Sequence, residues 1–213
     1  MAIIEIALPK LKRDAELIKQ AEAKIVPLIT AKLSDAGVKA GLRGFFVTEN
    51  GRDVRDEFRE ILILEWPSIQ HFKDFVVSTS YKEFGAELKN FAYGPPELKL
   101  FDADKSLSIF GLDTVVEYLV IKPKDASEAS VQNALHKLQS GLSQLGASKV
   151  AIGSSSNLDS QEIALVSSYA SDAELDTAKA SAARQQLLAD IAGTADVTSL
   201  VAHVKKELPL AGK

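Results

Sequence analysis

The 213-residue chain contains no cysteine, and this absence excludes several kinds of site. Without thiols there can be no disulfide, no thiolate nucleophile and no thiolate ligand for a metal ion. The three histidines, His71, His136 and His203, fall on separate predicted elements, and no two have the i, i+4 spacing of metal ligands on one helix. We therefore expect neither a metal ion nor a cofactor.

The sequence has few features that predict binding to a nucleic acid or to a membrane. The formal net charge is -4, and the basic pair Lys205–Lys206 is too short to form a basic patch. No apolar run approaches the length of a membrane-spanning helix. The first residues form a short, acidic, strand-like run from Ala2 to Leu8 and lack the basic region of a signal peptide. We expect a cytoplasmic protein whose partners include neither nucleic acids nor membranes.

The predicted order of secondary structure occurs twice along the chain. Residues 2–101 are predicted to form strand–helix–strand–strand–helix–strand, and residues 113–205 the same series. We divide the chain into an N-terminal unit (1–101), a linker (102–112) and a C-terminal unit (113–213). Because the linker contains apolar residues, we expect it to be packed against the units.

Two short sequence markers support this repeat and suggest its register. Ile3-Ile4-Glu5 returns as Val115-Val116-Glu117, an offset of 112 residues. Glu60-Ile61 returns as Glu162-Ile163, an offset of 102 residues. On this interpretation, Glu117 and Glu162 repeat the pair formed by Glu5 and Glu60. Such a repeat is typical of either a duplicated site or a duplicated scaffold.

Local signals predict where several elements begin and end. In the N-terminal unit, Ser78–Ser80 is predicted to interrupt the second helical region. Leu98–Phe101 is predicted to be a short strand at a sheet edge, where the nearby prolines are tolerated. In the C-terminal unit, Ser171 is a candidate N-cap for one long alanine-rich helix that ends at Gly193.

Each unit has the split βαβ order of a ferredoxin-like fold. Such a sheet carries helices on one face only, so its other face stays exposed and partly apolar unless a second sheet covers it. We predict an α+β protein in which two tandem ferredoxin-like βαββαβ units pack their sheets face to face. The result would be an intramolecular α+β barrel, closed or nearly closed, with the helices outside. The chain would be a monomer with an internal pseudo-dimer, or a homodimer.

The third strand and the helical region after it carry the most specific motif. Residues 62–68 read Leu-Ile-Leu-Glu-Trp-Pro-Ser, followed by Phe72-Lys73-Asp74-Phe75 and by Ser80-Tyr81-Lys82-Glu83-Phe84. A strand ending in Trp, a Ser-led helix with two aromatic residues and a Ser-x-x-x-Phe segment resemble the dimeric α+β barrel superfamily. That superfamily includes the antibiotic-biosynthesis-type (ABM) monooxygenases and the stress-responsive A/B barrel proteins. Most members have one unit per chain and dimerise, so this chain resembles a tandem fusion.

The resemblance implies a pocket but no single reaction, because the superfamily includes oxygenases, polyketide cyclases and haem-degrading enzymes. The haem-degrading members need a histidine late in the second helical region and an asparagine on the first strand, and this chain has neither. We therefore expect a cofactor-free tailoring enzyme, monooxygenase- or cyclase-like, or a small-molecule-binding protein. Its ligand would be an apolar, aromatic or polyketide-like compound in the aromatic-rich N-terminal half. The alternative is a non-catalytic stress-responsive or scaffold protein.

Glu5, Glu60 and Tyr81 are the candidate catalytic residues. Glu5 and Glu60 occupy otherwise apolar strands that neighbour each other in this arrangement, so they would meet in one pocket if they shared a face. Desolvation and mutual repulsion would then raise the pKa of at least one carboxyl, which suits general acid–base catalysis. Otherwise each glutamate lies at a strand end, solvated or paired with Lys or Arg. Tyr81 points its hydroxyl into the pocket or packs as an ordinary aromatic residue.

Trp66, His71 and Phe75 are the candidate substrate-binding residues. Trp66 ends a strand beside a helix, where it is either a core residue or a platform for a ligand. His71 lies at the start of the next helix, where exposure to solvent is the alternative. In the plant polyketide cyclases of the superfamily, a catalytic tyrosine stands at the position of Phe75 and a catalytic histidine at that of Tyr81. The resemblance thus implies a pocket here with different residues.

A cluster of arginines surrounds the second predicted hairpin. It consists of Arg43, Arg52, Arg55 and Arg59. The cluster could bind an anionic substrate, but acidic residues in the same loop favour a solvated segment with internal ion pairs.

Overall fold

The computed structural model describes residues 2–111, 113–125, 127–147, 149–158 and 161–208. The strands are β1 (Ala2–Leu8), β2 (Ala40–Glu49), β3 (Arg52–Asp53), β4 (Glu60–Trp66), β5 (Glu97–Ala103), β6 (Asp113–Pro123), β7 (Lys149–Ser155), β8 (Ile163–Tyr169) and β9 (Ala195–Leu208). The helices are α1 (Ala15–Asp35), α2 (Ile69–Val77), α3 (Thr79–Leu88), α4 (Glu128–Ser140), α5 (Asp172–Ala180) and α6 (Ala182–Ala192). Within these ranges, no helix has the length and apolar character needed to cross a membrane.

Eight strands form one closed antiparallel barrel, in agreement with the predicted α+β barrel. Their order is β2-β4-β1-β5-β7-β8-β6-β9, and β9 pairs with β2 to close the ring, while β3 extends β2 as a short hairpin. The order β5-β1-β4-β2 in the first half corresponds to β9-β6-β8-β7 in the second. The prediction of an edge strand at Leu98–Phe101 was wrong. β5 pairs with β1 on one side and β7 on the other, because closing the barrel removes its edges.

The two halves meet at two seams, and a glycine lies at each. At the long β2–β9 seam, a Cβ atom on Gly44 would collide with the backbone carbonyl of His203. At the short β5–β7 seam, a Cβ atom on Gly153 would lie 2.6 Å from the carbonyl oxygen of Asp102. Both contacts are with backbone atoms, which cannot move aside as a flexible side chain can. The closure of the barrel therefore depends on the absence of a side chain at these positions.

Alternate side chains of the strands fill the barrel interior. Among these buried residues are Ile4, Ile6, Leu42, Phe46, Ile61, Ile63, Phe101, Val116, Tyr118, Val166, Ala202 and Val204. The segment between β5 and β6 adds Leu107 and Phe110 to this core. Glu65 holds the segment, because its carboxylate accepts hydrogen bonds from the Ser106 hydroxyl (2.6 Å) and the Leu107 amide (2.8 Å). The barrel interior is therefore a packed core.

The helices cover the outside of the barrel and come in similar pairs in the two halves. Ser78 separates α2 from α3 with an extended backbone (φ −67°, ψ 156°). The single long helix predicted after Ser171 was wrong, because Ser181 has a similar conformation (φ −64°, ψ 125°) and separates α5 from α6. An extended residue cannot continue the helical hydrogen-bond ladder, so the alanine-rich sequence forms two helices with different directions.

The strand registers correct the second of the two sequence markers. Glu5 of β1 lies opposite Leu64 of β4, and Glu117 of β6 lies opposite Ser167 of β8. The offset between β4 and β8 is therefore 103 residues, not 102. The first marker, which relates Glu5 to Glu117, agrees with this register.

The shift of one residue removes Glu162 from the predicted repeat. With an offset of 103 residues, Glu60 corresponds to Ile163. Glu162 precedes β8 in phase with the interior residues Ala164 and Val166, and its carboxylate pairs with Lys99 and Lys122, each at 2.9 Å. Because a shift of one residue moves a side chain to the other face of a strand, Glu162 does not repeat the environment of Glu60.

Candidate functional site

A narrow cavity lies between the outer face of the N-terminal strands and helices α1 and α3. Its volume is about 70 Å³, enough for a few water molecules. The apolar part of its lining includes Ile18, Ile25, Leu62, Leu64, Phe84 and Leu98. Glu5, Glu60, Arg43 and Tyr81 are the side chains that interrupt this apolar surface with polar atoms. The cavity thus brings together the three residues proposed from the sequence as catalytic.

Glu5 is buried in the floor of the cavity, with 4% of its surface exposed. Its Oε2 atom accepts a hydrogen bond from the indole N–H of Trp66 over 2.6 Å. Burial raises the pKa of the Glu5 carboxyl from 4.5 to about 7, and the hydrogen bond from Trp66 opposes part of this rise. A carboxyl with this pKa exchanges its proton near neutral pH. Glu5 can therefore serve as a general acid or base.

Tyr81 is the third residue of α3 and forms part of the wall above Glu5. Its ring packs edge-on against Phe75, with centroids 5.4 Å apart, and lies 6.3 Å from the ring of Phe84. Burial, together with the charge of Glu5, raises the pKa of the phenol above its usual value of 10. The hydroxyl is therefore protonated at neutral pH and able to donate a hydrogen bond to a ligand.

Glu60 lies at the far end of the cavity floor from Glu5. The two glutamates share a face, but Glu60 is four residues away from Leu64, the strand partner of Glu5, which is about 13 Å along β4. The predicted repulsion between the two carboxylates was therefore wrong. Burial raises the pKa of Glu60, and the guanidinium of Arg43, which donates a hydrogen bond to Glu60 through Nε, opposes this rise. Desolvation is the largest cause for each carboxyl, and the charges of Glu22 and Glu207, not that of Glu5, add to the rise in the pKa of Glu60.

Arg43 is the polar residue of the cavity that sequence reasoning misplaced. Its side chain is 7% exposed, and besides Glu60 it approaches Glu22 (3.5 Å) and Glu207 (3.9 Å). It therefore does not belong to the solvated arginine cluster expected around the hairpin. The alternation along β2 contained a usable signal, because Arg43 and Phe45 are two residues apart and must share a face.

The three candidate substrate-binding residues have different positions. Phe75 lines the cavity, and its ring centroid lies 5.5 Å from that of Trp66. Trp66 is 1% exposed and lies behind the cavity, where it acts through its hydrogen bond to Glu5. His71 is exposed in the first turn of α2, with Nδ1 2.8 Å from the Ser68 hydroxyl, and does not line the cavity. Its helix turns Phe72 and Phe75 toward the sheet, so His71 faces away.

None of the three histidines lines the cavity, because His136 and His203 lie outside it, as His71 does. A group that needs a histidine ligand, such as haem, therefore does not fit this site. Among the residues whose placement is described, no three acidic or histidine side chains cluster in a way that could hold a metal ion.

The corresponding region of the C-terminal half is filled by a polar network. Arg184, the third residue of α6, donates hydrogen bonds through Nη2 to both carboxylate oxygens of Glu117 (2.8 and 2.6 Å). Its Nη1 atom donates to the Tyr169 hydroxyl (2.8 Å), and the Ser199 hydroxyl donates to Glu117 (2.7 Å). Arg184 and Glu117 are only 2% and 0% exposed. Glu117, at the position equivalent to Glu5, is therefore held in an ion pair. A surface pocket of about 350 Å³ lies over this network, with Glu117 and Arg184 in its lining.

No protein-family model and no curated protein matches this sequence. Solved structures do match: an anthrone oxidase-like protein gives a TM-score of 0.69 at 12% identity, over 100% of this chain and 97% of that one. A candidate monooxygenase from Lactobacillus acidophilus NCFM gives 0.62 at 11% identity, over 97% of both chains. A mutant chlorite dismutase from Candidatus Nitrospira defluvii gives 0.58 at 11% identity, over 97% of this chain and 92% of that one. These likenesses establish the α+β barrel fold that the sequence motif implied.

Proposed function

We propose that the protein is a cofactor-free, monooxygenase-like tailoring enzyme that acts on an aromatic or polyketide-like compound in the N-terminal cavity. The observation that carries this proposal is the environment of Glu5, whose carboxyl has a pKa of about 7 inside an apolar cavity that it shares with Tyr81. An oxygenase without a cofactor depends on removing a proton from its substrate near neutral pH. The pKa of Glu5 suits that step.

The proposed reaction begins with proton transfer from an acidic C–H bond of the substrate to Glu5. The electron pair left on carbon reduces dioxygen, the co-substrate, and a C–O bond forms. Breaking the O–O bond and losing the second methylene hydrogen convert the methylene into a carbonyl group, and the other oxygen atom leaves as water. Tyr81 would donate a hydrogen bond to the substrate oxygen that becomes negative on deprotonation. Trp66 is a positioning residue, since its indole N–H holds one oxygen of Glu5.

The comparisons support the class of substrate. One structural neighbour is described as anthrone oxidase-like, and an anthrone is a tricyclic ketone with an acidic methylene of the kind that this reaction needs. At 12% identity the neighbour supports the fold, and the choice of reaction rests on Glu5 and Tyr81.

The proposal includes the finer architecture expected from the sequence. The N-terminal unit (1–101) and the C-terminal unit (113–213) would be tandem ferredoxin-like repeats, and the single chain would form an internal pseudo-dimer. The equivalent strand orders of the two halves support this view. So do the serine N-caps of α2 and α5, Ser68 and Ser171, which are 103 residues apart.

The alternative, a scaffold protein without small-molecule chemistry, predicts that side chains fill the N-terminal half. The cavity above Glu5 favours the enzyme instead. Dioxygen uptake and quinone formation with 1,8-dihydroxyanthrone, corrected for oxidation without protein, test the choice. Glu5→Gln should lower the catalysed rate by about 100-fold or more, while Glu16→Gln on the exposed face of α1 should leave it unchanged. Equal rates for the wild type and Glu5→Gln would contradict the role of Glu5, and no catalysed rate would favour the scaffold.

A further inference from the structure

A surface groove lies beside the N-terminal cavity, along α3. We propose that this groove binds the anionic end of the substrate, which is therefore an elongated aromatic carboxylate. The inference rests on the proposed function, because it specifies the substrate class of the same site. Three features support it: the wall that the groove shares with the cavity, two lysines that form no ion pair among the described residues, and the acidic groups of the cavity.

The groove and the cavity share a wall, and Val76, Tyr81, Phe84, Leu88 and Pro96 line both. The groove has a volume of about 600 Å³, and the cavity about 70 Å³. A cavity of roughly 150 Å³ accommodates benzene, so the N-terminal cavity, with about 70 Å³, admits only the edge of one ring. The remaining rings would lie against the shared wall of Tyr81 and Phe84, in the groove.

The acidic residues of α3 face α1, whereas lysines in and just after this helix face the groove. Glu83 and Glu87 pair with lysines of α1 at 3.2 and 2.8 Å. Lys82 and Lys89 line the groove instead, are exposed, and form no ion pair within the described part of the chain. They flank an apolar surface that includes Tyr93, 71% exposed. In a chain of net charge -4, this combination of apolar surface and unpaired cations complements an aromatic acid.

The acidity of the cavity determines which end of the ligand enters it. A carboxylate inside the cavity would lose its hydration and be repelled by Glu5 and Glu60, and both effects cost free energy. The cation of the cavity, Arg43, is already paired with Glu60. In the groove, the same carboxylate stays hydrated and lies near the ammonium groups of Lys82 and Lys89. We therefore place the reacting edge of the ring system toward Glu5 and the anionic group in the groove.

Two matched probes test the inference, anthracene-2-carboxylate and anthracene-2-methanol, which have the same rings and differ in charge. Their affinities are measured by fluorescence titration of the full chain at low ionic strength. We expect the carboxylate to bind about fivefold more tightly than the alcohol, because exposed ion pairs contribute modestly. The double variant Lys82→Gln/Lys89→Gln should abolish this preference without weakening the alcohol. The control, Lys39→Gln/Lys73→Gln, removes two exposed charges that line neither the groove nor the cavity.

Each outcome bears on the proposal. Equal affinities for the two probes in the wild type, or a preference that survives in Lys82→Gln/Lys89→Gln, would overturn the anionic subsite while leaving the cavity and its chemistry in place. Failure of both probes to bind would overturn the subsite together with the cavity as a ligand site. A lysine-dependent preference in a protein that does not oxidise anthrones would support the subsite and reject the proposed oxygenase reaction alone.

Discussion

Arg184 occupies the position in the C-terminal half that Tyr81 occupies in the N-terminal half, each being the third residue of the helix that follows a serine break. Arg184 reaches Glu117 on β6 and fills the space between sheet and helix with an ion pair. Tyr81 packs against Phe75 and leaves a cavity above Glu5. The same backbone arrangement therefore holds the acid of β6 in an ion pair and leaves the acid of β1 beside an apolar cavity.

Replacing Arg184 by Met should strongly destabilise the protein. The change leaves Glu117 buried without its cation, and breaking a buried ion pair in this way costs about 3–5 kcal/mol. Lys19→Met, which breaks an exposed pair with Glu16, is the control and should change stability by less than about 1 kcal/mol. Urea unfolding at neutral pH measures both. A small effect of Arg184→Met would show that the network is not what closes the second half.

The fluorescence of Trp66, the only tryptophan, should report the protonation of Glu5. Loss of the Glu5 proton changes the partner of the indole N–H from a neutral to a charged oxygen, so the emission should shift with a midpoint near pH 7. Glu5→Gln should abolish this titration, and Glu16→Gln should preserve it. A midpoint close to 4.5, the ordinary value of a Glu carboxyl, would contradict the desolvation of Glu5.

The raised pKa of Glu5 should make the folded protein less stable as the pH rises. Because the folded-state pKa (about 7) exceeds the ordinary value of 4.5, the folded protein binds this proton more tightly than the unfolded chain. The stabilisation is complete below pH 4.5 and is lost as the pH rises through about 7. Relative to the wild type, Glu5→Gln should therefore gain roughly 3 kcal/mol of unfolding free energy between these limits. Denaturant unfolding across this range measures the difference, and a constant difference would contradict it.

Adding a methyl group at either seam glycine should open or strain the barrel. Gly44→Ala and Gly153→Ala place a Cβ atom against the backbone of the neighbouring strand, and each should cost about 2 kcal/mol or more. Gly85→Ala in α3 is the matched control, because nothing lies within 4 Å of its added Cβ atom and alanine favours a helix. Thermal unfolding should show lower midpoints for the first two variants and an equal or higher midpoint for the third. Unchanged midpoints at both seams would contradict the close approach.

Hydrophobic periodicity predicted strands and helices because the rule is local and applies to each element, and the barrel followed from the repeated order of these elements. Ile4 and Ile6 alternate with Glu5 along β1, and such an alternation already indicates a strand with two different environments. The helix break at Ser78 was also readable, because serine favours caps over helix interiors. The break at Ser181 could not be read from the sequence, because the alanines around it favour a continuous helix. The extended backbone of Ser181 became visible only in the folded structure.

Part of the candidate site followed from sequence in the same way. A glutamate in an apolar strand is unusual enough to be noticed, which is how Glu5 and Glu60 were selected. Their separation along β4 and the pairing of Glu60 with Arg43 depend on which residues of different strands lie opposite each other. His71 was selected for its chemistry alone, and the packing of α2 turned it to solvent.

The sequence by itself determined the order of the elements, the apolar faces that must be buried and the identity of the acids among them. Only the tertiary structure decided the offset of 103 residues that relates β4 to β8, and with it the separation of Glu162 from the repeat. It also decided that Arg184 pairs with Glu117 in one half while Tyr81 lines a cavity beside Glu5 in the other. The physical reason is that burial patterns are properties of single strands and helices, whereas pKa values, ion pairs and cavities arise from residues that meet only when distant strands and helices pack together.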